Sequence, residues 1–403
     1  MAKLPGSVLP FGYGRSYGDS CLNPGGALLD VAPLNRFIAF DVDNGTLRCE
    51  SGVSLAEILE LAVPLGWFPP VVPGTKWVSV GGAIANDIHG KNHHRAGTFG
   101  KHVLRFELLR STGERVLCSE AEHAELFRAT IAGLGLTGLV LWAEIRLKRI
   151  PGRAIGMERI RFRGLKEFFE LSAGDRDFEY TVAWIDCLRR RNPLGRGVFM
   201  RGDHAQGAAP ARGRAGARTV RLPFDPPRPM LSRLPMSVFN LMYYRSQVRR
   251  SIRKRLDYEP FFFPLDAVVN WNRLYGPPGL VQYQCVAPDA VIQVLLEDVR
   301  RSGESCYLAV LKRFGDVPSP GLLSFPRAGV TLAMDFAFRG ERTLRLLDRL
   351  DRIVTDAGGA VYPAKDVRMS GTSFRTFYPR WEEFAEQVDP KFSSSFWRRV
   401  TAR

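Results

Sequence analysis

Short apolar runs separated by turn residues, with a few stretches of helical periodicity between them, make up the N-terminal part of the chain. Apolar residues recur at helical spacing from Ser54 until Pro64, which predicts a helix that ends at the proline. Strands that alternate with helices are typical of an α+β domain, and Pro151-Gly152 interrupts the pattern, so we predict a first domain over residues 1–150. Its other predicted elements are strands at Ser7–Phe11, Ala27–Val31, Phe37–Asp41, Thr46–Ser51, Val103–Leu109, Arg115–Leu117 and Gly138–Arg146, and a helix at Glu122–Ala129.

Residues 151–357 contain longer alternating runs and are predicted to form a second domain. An amphipathic helix is predicted at Thr343–Ala357, closed by Gly358-Gly359, and residues 358–403 follow as a C-terminal segment. The stretch Gln206–Arg218, rich in Gly, Ala and Arg, is predicted to be a mobile loop. The predicted strands are Met157–Phe162 and Tyr180–Asp186 and, within one antiparallel sheet, Leu280–Ala287, Ser305–Phe314 and Val330–Phe336.

Composition describes a globular protein with a strongly basic surface. The 403 residues are 45% hydrophobic and 24% charged, with a net charge of +16 at pH 7, which favours anionic partners such as nucleic acid, acidic lipid headgroups or phosphorylated substrates. The six cysteines are scattered without a C-x-x-C pair, which indicates a reduced protein without disulfides and without a metal site. Met1–Gly14 lacks the apolar core of a signal peptide, and the apolar run Ala129–Ala143 is too short to cross a bilayer, so we expect a protein that is cytoplasmic or peripheral on the membrane.

One basic block, Arg245–Arg255, lies between the aromatic stretches Phe239–Tyr244 and Phe261–Phe263. Alternating aromatic and basic blocks can dock on an anionic membrane surface. The same pattern also suits a solvated basic helix beside a core segment. Nucleic-acid binding is the weakest alternative, because no recognisable nucleic-acid module accompanies the charge, and we expect no nucleic-acid partner.

Three glycine-dense stretches are candidate cofactor loops: G-Y-G-R-S-Y-G-D at Gly12–Asp19, the long stretch Pro73–Phe99, and G-L-G-L-T-G at Gly133–Gly138. The long stretch runs P-G-T-K-W-V-S-V-G-G-A-I-A-N-D-I-H-G-K-N-H-H-R-A-G-T-F, so polar groups that can carry protons follow its glycines. No P-loop and no strand–glycine loop–helix unit of the nicotinamide-binding type can be identified. Several loops of this kind are typical of one extended cofactor that approaches the backbone closely.

These motifs together resemble the flavin domain of the vanillyl-alcohol-oxidase-type FAD oxidoreductases, and in particular the decaprenylphosphoryl-β-D-ribose 2-oxidase family. The run D-I-H-G-K-N-H-H is the most specific piece. The likeness continues through W-N-R-L-Y-G-P-P-G-L-V-Q-Y-Q at 271–284, L-K-R-F-G at 311–315 and Y-P-A-K-D-V-R at 362–368, and so covers nearly the whole chain. It implies a PCMH-type flavin domain that is shortened at its N-terminus, a substrate domain with an antiparallel sheet, and a C-terminal segment that completes the flavin domain.

The resemblance also implies which residues bind FAD. Some members of the superfamily attach flavin to a histidine of the first loop, but this chain has Gly14-Arg15-Ser16-Tyr17 there, so non-covalent FAD is expected. Tyr17 is expected near the isoalloxazine ring. The implied cofactor-binding residues are Gly12, Gly14, Arg15, Ser16, Tyr17, Gly18, Asp19, Gly74, Thr75, Gly81, Gly82, Ala85, Asn86, Ile88, His89, Gly90, Gly138 and Tyr362.

Oxidation of a secondary alcohol removes a hydride from carbon, which a cofactor must accept, and a proton from oxygen. The resemblance implies that Lys365 takes the proton or stabilises developing charge, with His89 as the competing candidate and Tyr17 in the same site. Implied substrate contacts are Lys91, Gln282, Gln284, Lys312 and Lys365. The chain departs from the family at Phe262-Phe263 and at Thr331-Leu332-Ala333, both in the presumed substrate cavity, so the flavin chemistry is expected to persist, whereas the resemblance does not define the exact sugar.

The expected enzyme is an FAD-dependent oxidoreductase that oxidises a ring hydroxyl of a polyprenyl-phosphoryl pentose to a keto sugar. A separate NAD(P)H-dependent reductase would complete the epimerisation to arabinose, and an anionic membrane surface would be a further partner. One alternative is an aldonolactone or alditol oxidase that acts on a soluble sugar. The other is a non-catalytic basic protein that binds membrane or nucleic acid.

Overall fold

The structure is a computed structural model that describes residues 6–175, 177–188, 193–207, 220–221, 233–269, 273 and 278–402. The chain divides into two units, the first comprising Met1–Pro151, Val317–Pro326 and Met369–Arg403, and the second Gly152–Asp316 and Arg327–Arg368. The division differs from the predicted boundaries at two places. Residues 317–326 belong to the first unit, and residues 358–368 belong to the second. Most of the predicted loop Gln206–Arg218 and part of the 271–284 motif lie outside the described residues.

The first unit contains an antiparallel sheet of five strands within the described part of the chain, in the order β3-β4-β8-β6-β7. Buried side chains of this sheet, of helix α1 and of helix α2 form one apolar core that includes Leu47, Ile58 and Ile84. The strands are β1 (Val8–Phe11), β2 (Ala27–Asp30), β3 (Phe37–Asp41), β4 (Thr46–Glu50), β5 (Trp67–Phe68), β6 (Val103–Leu109), β7 (Arg115–Ser119), β8 (Leu139–Arg146) and β9 (Lys148–Arg149). The helices are α1 (Leu55–Ala62), α2 (Val80–Ala85), α3 (His93–Ala96) and α4 (Ala124–Thr130).

Helix α1 begins where the sequence predicts, because Ser54 and Glu57 form a capping box. The hydroxyl oxygen of Ser54 accepts a hydrogen bond from the Glu57 backbone N–H at 3.2 Å, and the Glu57 carboxylate accepts one from the Ser54 backbone N–H at 2.8 Å. These bonds satisfy backbone donors that the first helical turn would otherwise leave open. The helix gives way at Val63 to a short 3₁₀ turn that contains Pro64.

The C-terminal segment from Met369 onward packs within the first unit, as α10 (Gly371–Phe377), α11 (Trp381–Gln387) and α12 (Ser395–Thr401). It reaches the start of the chain: the Val8 backbone N–H donates to the Lys391 carbonyl at 2.8 Å, and the Ser393 N–H donates to the Val8 carbonyl at 3.0 Å. Strand β1, which leads into the first glycine loop, is therefore held between β2 and the C-terminal segment.

The second unit is built on an antiparallel sheet of eight strands among the described residues, in the order β14-β10-β12-β11-β17-β18-β16-β19. Its strands are β10 (Ala154–Phe162), β11 (Tyr180–Ile185), β12 (Gly197–Ala205), β14 (Ser251–Asp257), β16 (Leu280–Ala287), β17 (Cys306–Phe314), β18 (Gly329–Ala337) and β19 (Ala360–Val361), and β13 (Val220–Arg221) pairs with β15 (Val268–Val269). The helices are α5 (Leu165–Gly174), α6 (Arg233–Arg245), α7 (Tyr258–Phe262), α8 (Asp289–Ser302) and α9 (Glu341–Asp356). The single sheet that we predicted for the three strands near residues 280–337 is confirmed.

The basic block Arg245–Arg255 is not the solvated helix that we considered as an alternative. Arg245 ends helix α6, and the block then continues into strand β14 at one edge of the sheet, where Lys254 lies opposite Met157 of β10. Pairing with β10 decides this conformation, since tertiary context commonly overrides local helical preference. Of the helices within the described ranges, none combines the length and apolar character needed to cross a membrane.

Candidate active site

The first glycine loop, Gly12–Asp19, follows β1 directly. Gly14 has a φ of +60°, which favours glycine, and a Cβ atom there would lie 2.9 Å from the Phe11 ring. A Cβ atom at Gly12 would lie 2.5 Å from the hydroxyl oxygen of Ser79, the residue that caps helix α2 in the second glycine loop. The first and second glycine loops therefore approach each other so closely that a side chain at Gly12 would separate them.

Two charged residues of the first loop make contacts within the protein. The Arg15 side chain is exposed, and its Nε donates to the Trp77 carbonyl at 3.2 Å. The Asp19 carboxylate forms an ion pair with Arg399 of helix α12 at 2.7 Å, so this residue joins the loop to the C-terminal segment. The remaining predicted residues of this loop are Ser16 and Tyr17, which are half-buried, and Gly18, which is buried.

The second glycine loop enters the short helix α2 through backbone contacts. The Gly82 N–H donates to the Ser79 hydroxyl at 3.1 Å, and the Gly81 N–H donates to the Ser51 carbonyl at 2.8 Å. The Asn86 side-chain amide donates to the Gly82 carbonyl at 2.9 Å and so closes the helix at its other end. Predicted cofactor residues Gly81, Gly82 and Asn86 thus lie within one continuous turn.

The surroundings of this turn fit a polar ligand. The Ser51 hydroxyl is buried but has no hydrogen-bond partner among the described residues, although buried polar groups are normally paired. A Cβ atom at Gly81 would lie 3.1 Å from the Ser51 Cβ, so only glycine leaves this approach open. At Gly74 a Cβ atom would meet no atom within 4 Å, and the neighbouring Thr75 hydroxyl accepts from the Trp77 backbone N–H at 3.3 Å. The Ser51 hydroxyl, which has no partner among the described residues, and the glycine backbone, which carries no side chains, suit the phosphates and polar groups of a dinucleotide.

Asp87 organises the most specific motif of the sequence, although the sequence analysis did not assign it a role. Its carboxylate is fully buried and accepts hydrogen bonds from the Gly100 N–H at 2.8 Å and from the hydroxyls of Ser319 and Ser324, each at 2.5 Å. Burial raises the pKa of Asp87, while these hydrogen bonds act in the opposite direction. Asp87 thereby fastens the distant segment 317–326 to the glycine-rich stretch.

The residues that follow Asp87 lie beside that segment. His89 is 7% exposed, and its ring centroid lies 6.0 Å from that of Phe325. Ile88 is also buried, and a Cβ atom at Gly90 would lie 3.1 Å from the Val72 carbonyl oxygen, so the chain must pass closely at that point. Lys91 is half-buried, and burial lowers its pKa to about 8.

The third glycine stretch, Gly133–Gly138, lies against the second. The Leu134 N–H donates to the carbonyl of Ala85 at 2.8 Å, which brings the predicted residue Ala85 and this stretch together. Gly138 has a φ of +145°, and a Cβ atom there would lie 2.9 Å from the Leu109 carbonyl oxygen of β6. The sheet alone therefore accounts for glycine at position 138.

In the second unit, polar residues follow one face of the sheet, and we call Gln282, Gln284, Lys312, Thr331 and Asp335 the polar row. In the register, Gln282 lies opposite Asp335, Gln284 opposite Ala333, and Lys312 opposite Thr331. Residues of the other face, including Tyr283 and Cys285, lie near Asp351 of helix α9, so the polar row faces away from that helix. Sequence reasoning identified the glutamines and Lys312 on predicted strands, and the structure brings them together.

Hydrogen bonds hold the side chains of the polar row in place. The Gln282 amide donates to the Asp335 carboxylate at 2.5 Å, and the Gln284 amide donates to the Thr331 hydroxyl at 3.2 Å. Asp335, Thr331 and Gln284 are buried, so their orientation is fixed by these contacts. Sequence reasoning assigned no role to Asp335; a carboxylate within the apolar strand G-V-T-L-A-M-D-F-A was the available signal.

Lys365 lies on a turn at the end of this face. The Tyr362 N–H donates to the Gln284 carbonyl at 2.9 Å, and the Lys365 N–H donates to the Tyr362 carbonyl at 3.0 Å, so the turn is fixed to strand β16. Burial lowers the pKa of Lys365 to about 8, although the Asp335 carboxylate acts in the opposite direction. A lysine with that pKa loses its proton far more readily than an exposed one, which suits a proton acceptor.

The two positions at which the chain departs from the family differ in surroundings. Phe262 is fully buried in an aromatic cluster, with its ring centroid 4.7 Å from that of Tyr180, and Phe263 is buried beside it. Thr331 and Ala333 lie instead on the same strand face as Asp335. The second departure therefore changes the polar row itself.

These residues supply what FAD requires of a protein. The glycine loops and the Ser51 hydroxyl of the first unit could hold its phosphates and ribose, and the carbonyl and amide groups around Ala85 and Asn86 extend the same stretch. Within the described ranges, no group of three or more His, Cys, Asp and Glu side chains is arranged to hold a metal ion.

Comparison with known proteins agrees with this chemistry. The FAD binding domain family matches residues 2–119. The chain is 35% identical over 418 aligned positions to decaprenylphosphoryl-β-D-ribose oxidase of Mycolicibacterium smegmatis, covering 98% of this chain and 89% of that protein. It is 36% identical to an uncharacterized protein in the mprA 5′ region of Streptomyces coelicolor, covering 86% of this chain and all of that protein. A shorter match, 31% identical over 34% of this chain and 25% of the relative, joins it to cytokinin dehydrogenase 8 of Oryza sativa subsp. indica.

The predicted α+β fold with a PCMH-type FAD-binding domain is confirmed, as are FAD as the cofactor and oxidation–reduction as the type of reaction. The chain belongs to the family of FAD-dependent oxidoreductases that includes decaprenylphosphoryl-β-D-ribose oxidase.

Proposed function

We propose that this enzyme oxidises a ring hydroxyl of a polyprenyl-phosphoryl pentose, such as decaprenylphosphoryl ribose, to a keto sugar. The observation that carries the proposal is the polar row with Lys365 at its end, on the sheet of a chain whose relative is named for that substrate. Ordered amides and carboxylates on a strand face are groups that pair well with sugar hydroxyls. A hydrophobic strand face would not serve this purpose.

Lys365 is proposed to remove the hydroxyl proton through its Nζ atom. Its pKa of about 8 leaves a useful neutral fraction near physiological pH, and the turn fixed to β16 orients the side chain. The bound FAD supplies the hydride acceptor, so the protein has only to position the alcohol and move its proton. His89 and Tyr17 are the other proposed catalytic groups, and FAD is proposed to bind without a covalent link because Arg15 and Ser16 stand in the first loop.

The charges suit a phosphorylated substrate. Lys312 lies opposite Thr331 in the polar row, and Lys91 follows the most specific motif of the first unit. A lysine ammonium binds phosphate as a compact point charge, and we propose this role for both residues. The proposed product is a keto sugar, which an NAD(P)H-dependent reductase would reduce with opposite stereochemistry, so that the two steps epimerise ribose to arabinose for arabinan of the cell wall. A polyprenyl substrate resides in a membrane, and we therefore also propose that the enzyme associates with the membrane surface peripherally.

Anaerobic reduction of the bound flavin tests the substrate. Decaprenylphosphoryl ribose should bleach the flavin absorbance rapidly, whereas aldonolactones and alditols should not. Faster bleaching by a soluble sugar would overturn the proposed substrate and leave the FAD chemistry intact.

A variant of the polar row separates sugar recognition from general damage. Gln284→Leu should raise the substrate concentration needed for half-maximal reduction by about 10-fold or more, since a lost hydrogen bond in a buried site typically costs about 1–3 kcal/mol. The matched control is Gln293→Leu on the exposed face of α8, where the amide contacts only Glu297 of the same helix among the bonds we observe. Equal effects of both substitutions would contradict a role for the polar row.

A further inference from the structure

Helix α6 (Arg233–Arg245) packs against the large sheet of its own unit, the second, and its polar groups point toward that sheet. Asn240 is buried, and its side-chain amide donates to the Asp186 carboxylate at 3.0 Å. The Tyr244 hydroxyl donates to the Phe162 carbonyl at 3.3 Å, and the Tyr243 ring centroid lies 4.8 Å from that of Trp184. Hydrogen bonds and an aromatic contact together thus hold the inner face of this helix.

The outer face of the same helix is apolar. Val238 is 47% exposed, Phe239 is 55% exposed and Met242 is 59% exposed. Residues at these spacings project from one side of a helix. Val248, three residues beyond the helix end, is 84% exposed. Surface helices of soluble proteins normally show the reverse arrangement, with the apolar side toward the core. We call Val238, Phe239 and Met242 the outer apolar face.

Basic residues lie near the outer apolar face. Arg245 ends helix α6, Arg249 follows it, and both are exposed. Lys254 of strand β14 is also exposed, and its register opposite Met157 places it on the sheet face that helix α6 contacts through Arg159. Arg253 lies on the other face of this strand, where it is 3.5 Å from Glu158. The exposed Arg245, Arg249 and Lys254 can therefore reach an external anion.

We infer that the outer apolar face and its arginines dock on an anionic lipid bilayer, with Val238, Phe239 and Met242 inserted among the lipids and the arginines at the headgroups. An apolar helix side next to a cluster of basic residues is the composition that binds at the boundary between acyl chains and acidic headgroups. Nucleic acid would match the arginines but not the exposed phenylalanine and methionine. A second copy of the chain would bring equal positive charges together, which opposes self-association.

This inference rests on the proposed peripheral association and adds the surface that would carry it, but it does not depend on the identity of the sugar. It places lipid contact on the second unit, which also holds the polar row. Binding to vesicles and reduction of the flavin by substrate are separate measurements, so either proposal can fail without the other.

The test is flotation of the purified full-length flavoprotein with vesicles of phosphatidylcholine, with or without phosphatidylglycerol. Wild-type protein should float with the anionic vesicles and far less with the neutral ones, and binding should weaken as salt rises. Replacing the apolar side chains should lower the partition coefficient by about 10-fold or more, because the inserted apolar area is lost. Replacing Arg245 and Arg249 by serine should lower it by about fivefold for each residue. The apolar variant combines Val238→Ser, Phe239→Ser and Met242→Ser.

A matched control replaces three apolar residues elsewhere that are exposed to a similar extent, at 46%, 48% and 50%, and combines Leu28→Ser, Ile38→Ser and Val294→Ser. The control should bind vesicles like the wild type, and FAD content with thermal melting should show that all variants are folded. Wild-type-like flotation of the apolar variant would overturn the inference about this face, and absence of wild-type flotation would also overturn the proposed membrane association. If sedimentation shows concentration-dependent dimers that the apolar variant abolishes, the face is an interface between copies and not a lipid-binding surface.

Discussion

Replacement of Lys365 by methionine should have opposite effects on stability and on catalysis. The pKa of Lys365 is lowered by burial from 10.5 to about 8, so the folded protein disfavours the ammonium by about 3 kcal/mol at most. Lys365→Met removes that charge but keeps an unbranched side chain, and the free energy of unfolding at about pH 7 should rise by about 1–3 kcal/mol. The same variant should reduce its flavin about 100-fold more slowly, because the group proposed to take the substrate proton is gone.

The stability difference between Lys365→Met and the wild type should change with pH in a defined direction. Below pH 8, Lys365 is charged in the folded and in the unfolded protein, so only the folded state carries the burial penalty. As the pH rises from about 8 toward 10.5, the folded protein loses this proton first, and the wild type gains stability relative to the variant. The advantage of Lys365→Met in urea unfolding should therefore be largest near neutral pH and should shrink above about pH 8. For the same reason, the rate of flavin reduction in the wild type should rise with pH toward a plateau above about 8.

Two further variants separate the charge of Lys365 from its proton. Lys365→Arg should not restore the rate, since arginine keeps a positive charge but does not release its proton near neutral pH. Lys166→Met, at an exposed lysine of helix α5, is the matched control and should alter neither stability nor rate appreciably. The reasoning is refuted if Lys365→Met reduces flavin within a few-fold of the wild type, in which case His89 becomes the next candidate for the base. A stability difference that is constant from neutral to alkaline pH would refute the argument from burial.

Two other predictions concern the first unit. Gly74→Val should lower the FAD content strongly without changing the melting temperature of the apoprotein, because a Cβ atom at Gly74 meets no protein atom within 4 Å. The control is Gly174→Val, at an equally open position in the second unit, which should retain full FAD. Equal losses of FAD in both variants would contradict the assignment of Gly74 to the cofactor site. Asp87→Ala should destabilise the fold by about 3 kcal/mol or more, since it leaves one buried and two half-buried donors without their acceptor at a residue with a φ of +40°. Asp87→Asn can keep most of these hydrogen bonds and tolerates that φ, so chemical unfolding should show a loss of under about 1.5 kcal/mol, and a loss equal to that of alanine would show that the charge itself is required.

Much of the fold could be predicted from local sequence, because each strand near residues 280–337 alternates and each ends in recognisable turn residues. The same is true of helix α1, whose beginning is encoded by Ser54 and Glu57 within one turn. The glycine loops could also be located, since their composition leaves few other interpretations. In each of these features, the residues that encode the element lie within a few positions of the element itself.

Contacts between distant parts of the chain could not be predicted in this way. Asp87 and its partners Ser319 and Ser324 are 232 and 237 residues apart, and neither serine lies in a pattern that points to a buried carboxylate. The sequence therefore predicts the segment 317–326 as part of the second domain, although it belongs to the first unit. In the same way, a role for Asp335 becomes evident only from the strand register, which places this residue opposite Gln282.

Helix α6 illustrates how one buried polar group can decide the orientation of an element. Its sequence R-L-P-M-S-V-F-N-L-M-Y-Y-R contains apolar residues at most positions, so periodicity alone does not define an inner side. Asp186 is buried and accepts from both Arg196 and Asn240, and removing one partner from a buried carboxylate typically costs about 1–3 kcal/mol. Turning Asn240 inward turns Phe239 and Met242 outward, which forgoes about 1.5–3 kcal/mol of burial for each. The burial forgone by the two side chains, about 3–6 kcal/mol, exceeds what the hydrogen bond to Asp186 supplies in water, and a lipid surface that covers the outer apolar face would recover it.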